Sequence, residues 1–336
     1  MKLMTLNTHS LEEKDYEKKL CLCAEGLLKL RPDILALQEV NQRMDAPEAD
    51  RELLEESGFV PCPGIAPCPE GKEQQASPVP IRQDNHAFRL ALLAARAGYP
   101  LCWTWVSAKV GYGRYDEGLA LFSCQPIKAA RQLYLTKTRE YENWKTRKAL
   151  GITVETEEGL QHVYSLHLGW WKDEAEPFAA QWERLERETA EPRKKGETVW
   201  LMGDFNAPAR VPGESWEMVC QSGWLDTYEM AREKDEGITV GGIIDGWRDE
   251  AQADPAMRID YIWCSRPYPI RRSMAVFNGK GSFGCPAYPL VSDHFGVLAE
   301  TGRGETFSGT EGDRASAAGA SIAGTKITCT NENKSE

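Results

Sequence analysis

No stretch of this 336-residue chain approaches the roughly 18–20 consecutive apolar residues that a membrane-spanning helix requires. The longest greasy run, Leu90 to Ala95, is closed on both sides by arginine. Met1-Lys2-Leu3-Met4-Thr5-Leu6-Asn7 lacks the apolar core of a secretory leader, so the expected location is the cytoplasm. Repeats at solenoid periods are also absent. Surplus positive charge is missing: 40 Lys and Arg stand against 51 Asp and Glu, a net charge of −11. Nucleic-acid affinity comes largely from Lys and Arg displacing counterions, so this balance argues against a polynucleotide partner while leaving room for a local basic groove. Zinc-ribbon spacing is missing too. The 10 cysteines are scattered, and the close pairs Cys21/Cys23 and Cys62/Cys68 have no matching second half. That argues against structural zinc and for thiols in a reducing compartment.

What the chain does have is core-forming material. A hydrophobic fraction of 41%, with 11 Trp, 11 Tyr and 9 Phe, excludes a mainly disordered protein. The first residues read as a strand ending at Asn7, followed by a helix that places Leu11, Tyr16, Leu20, Ala24, Leu27 and Leu28 near one face and stops at Arg31-Pro32-Asp33. Ile34 to Val40 is a continuous apolar strand that ends in a carboxylate, Glu39. Six prolines between residues 61 and 80 forbid regular structure and mark an insertion loop over 61–84. Asp84 or Asn85 is placed to cap a helix that Gly98 ends.

Further strands are expected at Leu101–Lys109, Leu119–Cys124, Leu150–Thr156 and His162–Leu168, the last two joined by a hairpin at Glu157-Glu158-Gly159, so the sheet is mixed. Pro177 opens a helix carrying Phe178, Trp182 and Leu185, expected to end before Pro192. Strands follow at Thr198–Met202, Arg258–Cys264, Ser273–Phe277 and Phe295–Glu300. This describes a β-rich layered α/β domain over residues 1–300. From Thr301 the composition turns to Gly, Ser, Thr and Ala, the signature of a flexible tail over 301–336. No exposed periodic helix marks a dimer interface.

Polar residues recur where apolar strands end: Asn7, Glu39, His167, Asp204 with Asn206, and Asp293 with His294 before the last strand. Such ends are rigid mounts opening into a crevice. Taken singly, each has an ordinary explanation: a solvated strand end, a satisfied core histidine, a turn former. Taken together they are an oxygen-rich set with two imidazoles, which suits a hard divalent cation such as Mg2+, with Mn2+ as a substitute, better than zinc.

The ordered series Leu6-Asn7, Leu37-Gln38-Glu39-Val40, Tyr115-Asp116-Glu117-Gly118, Ser165-Leu166-His167-Leu168, Gly203-Asp204-Phe205-Asn206, Arg258-Ile259-Asp260-Tyr261 and Ser292-Asp293-His294 resembles the motif set of the endonuclease/exonuclease/phosphatase superfamily. The resemblance implies a four-layer α/β/β/α sandwich with its site at one end. It further implies that Asn7 and Glu39 hold the metal with Asp293 nearby, and that Asp204 and Asn206 orient and activate water. His167 and His294 would contact the scissile phosphate, backed by Glu117 and Asp260 respectively, with Arg147 as a phosphate-facing cation. Such a set meets the needs of phosphoryl transfer, which are positioning, charge stabilisation and a base for an in-line water.

The substrate has to be read elsewhere. Trp170 and Trp171 directly follow the His167 segment, Trp247 lies in a Gly-rich stretch, and Asp84 and Asn85 supply polar groups. Aromatic faces suit stacking on a sugar ring or a base. Tryptophans packing a loop and a helix cap are the plain structural alternatives. His167-Leu168-Gly169-Trp170-Trp171, with Tyr115-Asp116-Glu117-Gly118, is similar to the bacterial sugar-phosphate phosphatases of the maltose 6′-phosphate type. That implies a phosphomonoesterase acting on a small phosphorylated sugar. The main alternative is a metal-dependent nuclease with Lys145, Arg147 and Lys148 in a cationic groove. A sphingomyelinase-like phosphodiesterase and a non-catalytic binding module rank below both, the module because the Asp-Asn and Asp-His pairs are intact.

Overall fold

Every side chain from Ile34 to Leu37 is buried, and alternate residues enter different cores. A strand with that pattern must be covered on both faces, and the computed structural model covers it with a second sheet on one side and helices on the other. The structure describes residues 1–65, 79–242, 244 and 256–302. In chain order the elements are β1 (Lys2–Asn7), α1 (Tyr16–Leu30), β2 (Ile34–Arg43), α2 (Arg51–Glu56), α3 (His86–Arg96), β3 (Cys102–Gly111), β4 (Tyr115–Ser123), β5 (Ala129–Tyr134), β6 (Lys148–Thr156) and β7 (Gly159–His167). They continue with α4 (Phe178–Lys194), β8 (Thr198–Asp204), α5 (Ser215–Gln221), β9 (Leu225–Asp226), α6 (Thr227–Met230), β10 (Glu233–Lys234), β11 (Asp260–Cys264), β12 (Ile270–Val276) and β13 (Gly296–Thr301).

Two mixed sheets result, a seven-stranded one ordered β10-β12-β13-β1-β2-β4-β3 and a six-stranded one ordered β5-β6-β7-β8-β11-β9. Leu3, Ile34, Ala36 and Leu121 of the first sheet pack with Ile152, Trp200, Met202 and Ile262 of the second. The outer face of the first sheet, including Met4, Leu35, Trp103 and Phe122, buries Leu20 and Leu27 of α1 and Phe88 and Ala91 of α3. Leu166 and Leu201 on the far side pack with Phe178 and Trp182 of α4 and Val219 of α5. The layers are therefore α/β/β/α.

Local chemistry corrects several expected boundaries. Leu11 belongs to a separate 3-10 turn, Ser10–Glu12, ahead of α1. Asn85 is the cap of α3, accepting from the Phe88 amide at 3.1 Å, whereas Asp84 accepts from the Arg43 guanidinium at 2.9 Å. The fourth helix runs through Pro192 to Lys194. Its last turn tolerates the proline because only one ladder bond is lost there, and the Lys195 amide resumes the ladder by donating to Glu191 O at 3.1 Å. Thr301, expected in the tail, closes β13, and its amide donates to Met1 O at 2.8 Å. Of the Pro-rich loop, residues 66–78 lie outside the described residues, as do tail residues 303–336. Cys23, Cys62, Cys102, Cys124, Cys220, Cys264 and Cys285 are free thiols, while Cys21 is disulfide-bonded, which departs from the expectation of thiols throughout.

One buried group ties this fold to pH. His86 opens α3 against α1, where its Nδ1 lies 3.2 Å from the Tyr16 hydroxyl. Burial, aided by the neighbouring Arg89 charge, pushes its pKa down to about 3. Below the unfolded value of 6.5 the unfolded chain takes up a proton that the folded chain refuses. Stability is therefore undiminished above that pH and falls as pH drops, with a limiting slope of about 1.4 kcal/mol per pH unit from this group. His86→Asn, whose amide oxygen replaces Nδ1 without titrating, is expected to flatten the decline between pH 6.5 and pH 5 in denaturant melts; an unaltered slope would show that His86 does not cause it.

Candidate active site

Residues in or beside six strands, three from each sheet, meet at one edge of the sandwich. In β2 the register against β4 shifts between Leu37 and Val40, and Glu39 takes a left-handed backbone with φ 50°. This bulge removes Glu39 from the ladder and aims its carboxylate beyond the strand. Asn7 ends β1, the parallel neighbour of β2. In the second sheet His167 ends β7 directly beside Asp204 at the end of β8, and Asp260 begins β11 opposite the same Asp204. Gly203 permits the approach: its φ is 144°, and a Cβ there would stand 2.0 Å from Leu166 O. Asp293 and His294 precede β13, anchored where the Ser292 hydroxyl donates to Asn7 O at 2.7 Å.

Hydrogen bonds join these groups across the sheets. Asn7 Nδ2 donates to Glu39 Oε1 at 2.9 Å and to Asp204 Oδ2 at 3.1 Å. Asp204 Oδ1 accepts from the Asn206 amide at 2.8 Å, and the Asn206 side chain donates to Leu168 O at 2.9 Å. His294 Nδ1 lies 2.9 Å from Asp260 Oδ2. The other ring nitrogen of His294 is 3.8 Å from Asp204 Oδ2, and His167 Nε2 is 3.7 Å from the same oxygen. His167 does not rest on Glu117. Among the described residues Asp204 is the one carboxylate within 4.0 Å of its ring nitrogens, and Glu117 instead pairs with Lys109 at 3.1 Å. The cause is register: Lys109 and Glu117 are paired positions of the β3–β4 ladder.

The two imidazoles are driven in opposite directions. Burial lowers the pKa of both. At His294 the facing charges of Asp260, Asp204 and Asp293 outweigh burial and raise it to about 10, so the ring is an imidazolium. At His167 burial is reinforced by Arg147, Lys109 and His294, which holds it well below the ordinary value and keeps it neutral. Asp204 is pushed up to about 6 by burial and by Asp260, and Glu39 up to about 7 by burial, Glu117 and Asp293. Two titratable groups with separated affinities, an anionic acceptor and a cationic donor, are a basis for acid–base work.

A cavity of about 230 Å3 opens over this edge, bordered by Glu39, Arg147, His167, Asp204, Asn206, Asp293 and His294. Asn7 and Asp260 lie fully buried beneath it. Of the residues proposed to meet substrate, Trp170 borders the cavity, with Arg147 Cζ 5.8 Å from its ring centroid. Trp171 instead packs against Phe178, ring centroids 6.1 Å apart, and the bonds of Asp84 and Asn85 already noted are structural; none of the three borders the cavity. Trp247 lies outside the described residues. Sequence reasoning missed His9, Lys109, Tyr112 and Trp144, all on the cavity wall. His9 had a signal, being polar and two residues beyond a strand end; Lys109 had one as a lone cation inside an apolar strand.

The donor set suits a hard cation. Glu39 and Asp293 offer carboxylates and Asn7 an amide oxygen, in a place where carboxylates crowd one another without enough neutralising charge. His9, Glu13 and Asp293 also place one ligand atom each within 4.8 Å of one another, as do Asp204, Asp260 and His294.

A two-sheet sandwich with this edge site defines an α/β class whose polar strand ends face a cavity of about 230 Å3. The endonuclease/exonuclease/phosphatase family model matches residues 4–294, and the chain belongs to that family. Members of the family are phosphoester hydrolases and generally depend on a divalent metal. The chain is similar to an endonuclease/exonuclease/phosphatase family protein from Leptotrichia buccalis C-1013-b, with 27% identity and TM-score 0.71 over 90% of this chain and 100% of that one. It shares its fold with a mannosyl-6-phosphatase of Bacteroides thetaiotaomicron VPI-5482, at 15% identity and TM-score 0.56 over 89% and 98% of the two chains. Truncated TDP2 of Caenorhabditis elegans matches at 17% identity and TM-score 0.52 over 89% and 95%. No match was found among curated proteins. No helix among the described residues is long and apolar enough to cross a membrane.

If Asp260 is what holds His294 protonated, Asp260→Asn lowers the His294 pKa by about 1 to 3 pH units, because the opposite charge at 2.9 Å is lost. Titration of the ring proton by NMR reads this directly. A value unchanged from the parent protein would assign the charge of His294 to other neighbours.

Proposed function

We propose that the chain is a divalent-metal-dependent phosphomonoesterase that releases inorganic phosphate from a small sugar phosphate in the cytoplasm, with residues 1–300 as its catalytic domain. Asn7, Glu39 and Asp293 would hold the cation, Mg2+ or Mn2+, whose chemistry is polarisation of a phosphoryl oxygen. Asp204 takes the proton of the attacking water, a role its raised pKa of about 6 suits near neutral pH. Asn206 orients that water beside it. The His294 imidazolium donates to the phosphoryl group, neutral His167 supports it, and Arg147 offsets its charge. Asp260 fixes the proton of His294. Glu117 holds Lys109 at the cavity wall and is a positioning residue in this scheme.

One observation carries the choice of a monoester over a polynucleotide. The cations that a nucleic-acid groove needs are committed elsewhere: Lys145 pairs with Asp173 at 2.7 Å, and Lys148 donates to Ser107 O at 2.8 Å and Gln132 Oε1 at 3.1 Å. Arg147 is buried at the cavity wall beside His167 and Asp204. The net charge of −11 favours the same choice, and a related fold in a mannosyl-6-phosphatase fits it.

Purified protein with Mg2+ is expected to release phosphate from sugar phosphates such as maltose 6′-phosphate or mannose 6-phosphate, and to leave plasmid DNA, abasic duplex and sphingomyelin intact. Asp204→Ala and His294→Ala are each expected to lower turnover by about 100-fold to 10000-fold while melting cooperatively. Near-parental turnover in either, or DNA nicking at similar protein concentration, would overturn the assignment.

A further inference from the structure

Two exposed aromatic rings border the cavity and have no part in the chemistry above. Tyr112 is 47% exposed and Trp144 is 54% exposed. Isolated exposed apolar side chains need no explanation, but these two line the same cavity as half-buried Trp170, Trp144 in contact with it and Tyr112 against His9, and together give the cavity an aromatic lining. The wall is anchored. Tyr112 sits in the turn between β3 and β4, with φ 50°, and its hydroxyl lies 3.1 Å from His9 Nε2. The segment carrying Trp144 is held on β3, where the Val110 amide donates to Tyr141 O at 2.8 Å and Lys109 Nζ donates to Trp144 O at 2.9 Å. Trp144 meets Trp170 edge to face, ring centroids 5.7 Å apart. Lys109 itself borders the cavity and pairs with Glu117, which ties the Trp144 segment to the cavity wall.

We infer that Trp144, with Tyr112, forms the leaving-group subsite and selects phosphomonoesters whose alcohol is a carbohydrate ring. This rests on the phosphomonoesterase reading and deepens it. A sugar ring presents a face of C–H groups carrying slight positive charge, which matches the negative face of an indole, while its hydroxyls stay at the rim. Lys145 Nζ stands 5.4 Å from the Trp144 ring centroid and is paired with Asp173 at 2.7 Å, and Lys109 Nζ is paired with Glu117 at 3.1 Å. The wall thus suits an uncharged alcohol. In the reaction the water oxygen bonds to phosphorus as Asp204 takes one of its protons, the bond from phosphorus to the sugar oxygen breaks, and that oxygen takes up a proton from solvent at the exposed rim while Asp204 returns its own to solvent.

The test is Trp144→Ala in the full chain. Steady-state kinetics with Mg2+ would use mannose 6-phosphate, glycerol 3-phosphate, which has no ring, and a nucleoside monophosphate. The KM for the sugar phosphate is expected to rise about tenfold, the upper end of what one aromatic contact contributes, with kcat little changed and glycerol 3-phosphate unaffected. Trp144→Phe should recover most of the loss. An unchanged KM, an equal rise for glycerol 3-phosphate, or a loss confined to the nucleotide overturns the subsite. Calorimetric binding of mannose 6-phosphate to Asp204→Ala protein, with and without Trp144, separates the two claims. If the parent enzyme hydrolyses none of these esters, the phosphatase reading falls alone. Trp144-dependent binding would then still support the subsite, and Trp144-independent binding or none would overturn it.

Discussion

A single amide nitrogen stitches the sandwich together at its working edge. Asn7 Nδ2 donates at once to Glu39 of its own sheet and to Asp204 of the facing sheet. Both acceptors are carboxylates in a poorly solvated place, where an anion without partners is costly. The two bonds therefore tie the sheets at this edge and help keep two negative groups in their charged form. Removing them would leave each acid to find another donor or take up a proton.

From that seam the electrostatics of the edge follow. Three anionic side chains, Asp204, Asp260 and Asp293, surround His294 and make its positive charge the favourable state. Lys109 and Arg147 sit on the other side, and between them His167 loses its proton. The sign of each imidazole is thus decided by which wall it faces, although both histidines are equally buried. Phosphoryl transfer calls for this separation, because a donor and an acceptor of protons must coexist at one pH.

Much of this was legible in the chain, for a definite reason. Asn7, Glu39, His167, Asp204, Asp293 and His294 lie where apolar runs stop, and strands of a doubly covered sheet advertise themselves as apolar runs. Their convergence was readable because the family motifs occur in order. Glu117 shows where the reading runs out. Its place in the motif is as expected, but the direction of its side chain depends on the cross-strand partner, and although Lys109 stands out as a lone cation, its pairing with Glu117 is set by a register that no local pattern reveals. Asp84 and Asn85 were ambiguous for another reason, since a polar pair before a helix is equally a cap and a ligand until the cavity is located. Trp144 lies in an irregular segment, where periodicity carries no information.

The topology also bears on when the protein acquires its edge during synthesis. β1 lies between β2 and β13, pairing Met4 with Leu298. Asp293 and His294 arrive only with that last strand. A nascent polypeptide that lacks β13 has an open seam in the middle of one sheet and lacks Asp293 and His294 at the edge. Completion of this edge therefore waits for β13 to dock between β1 and β12.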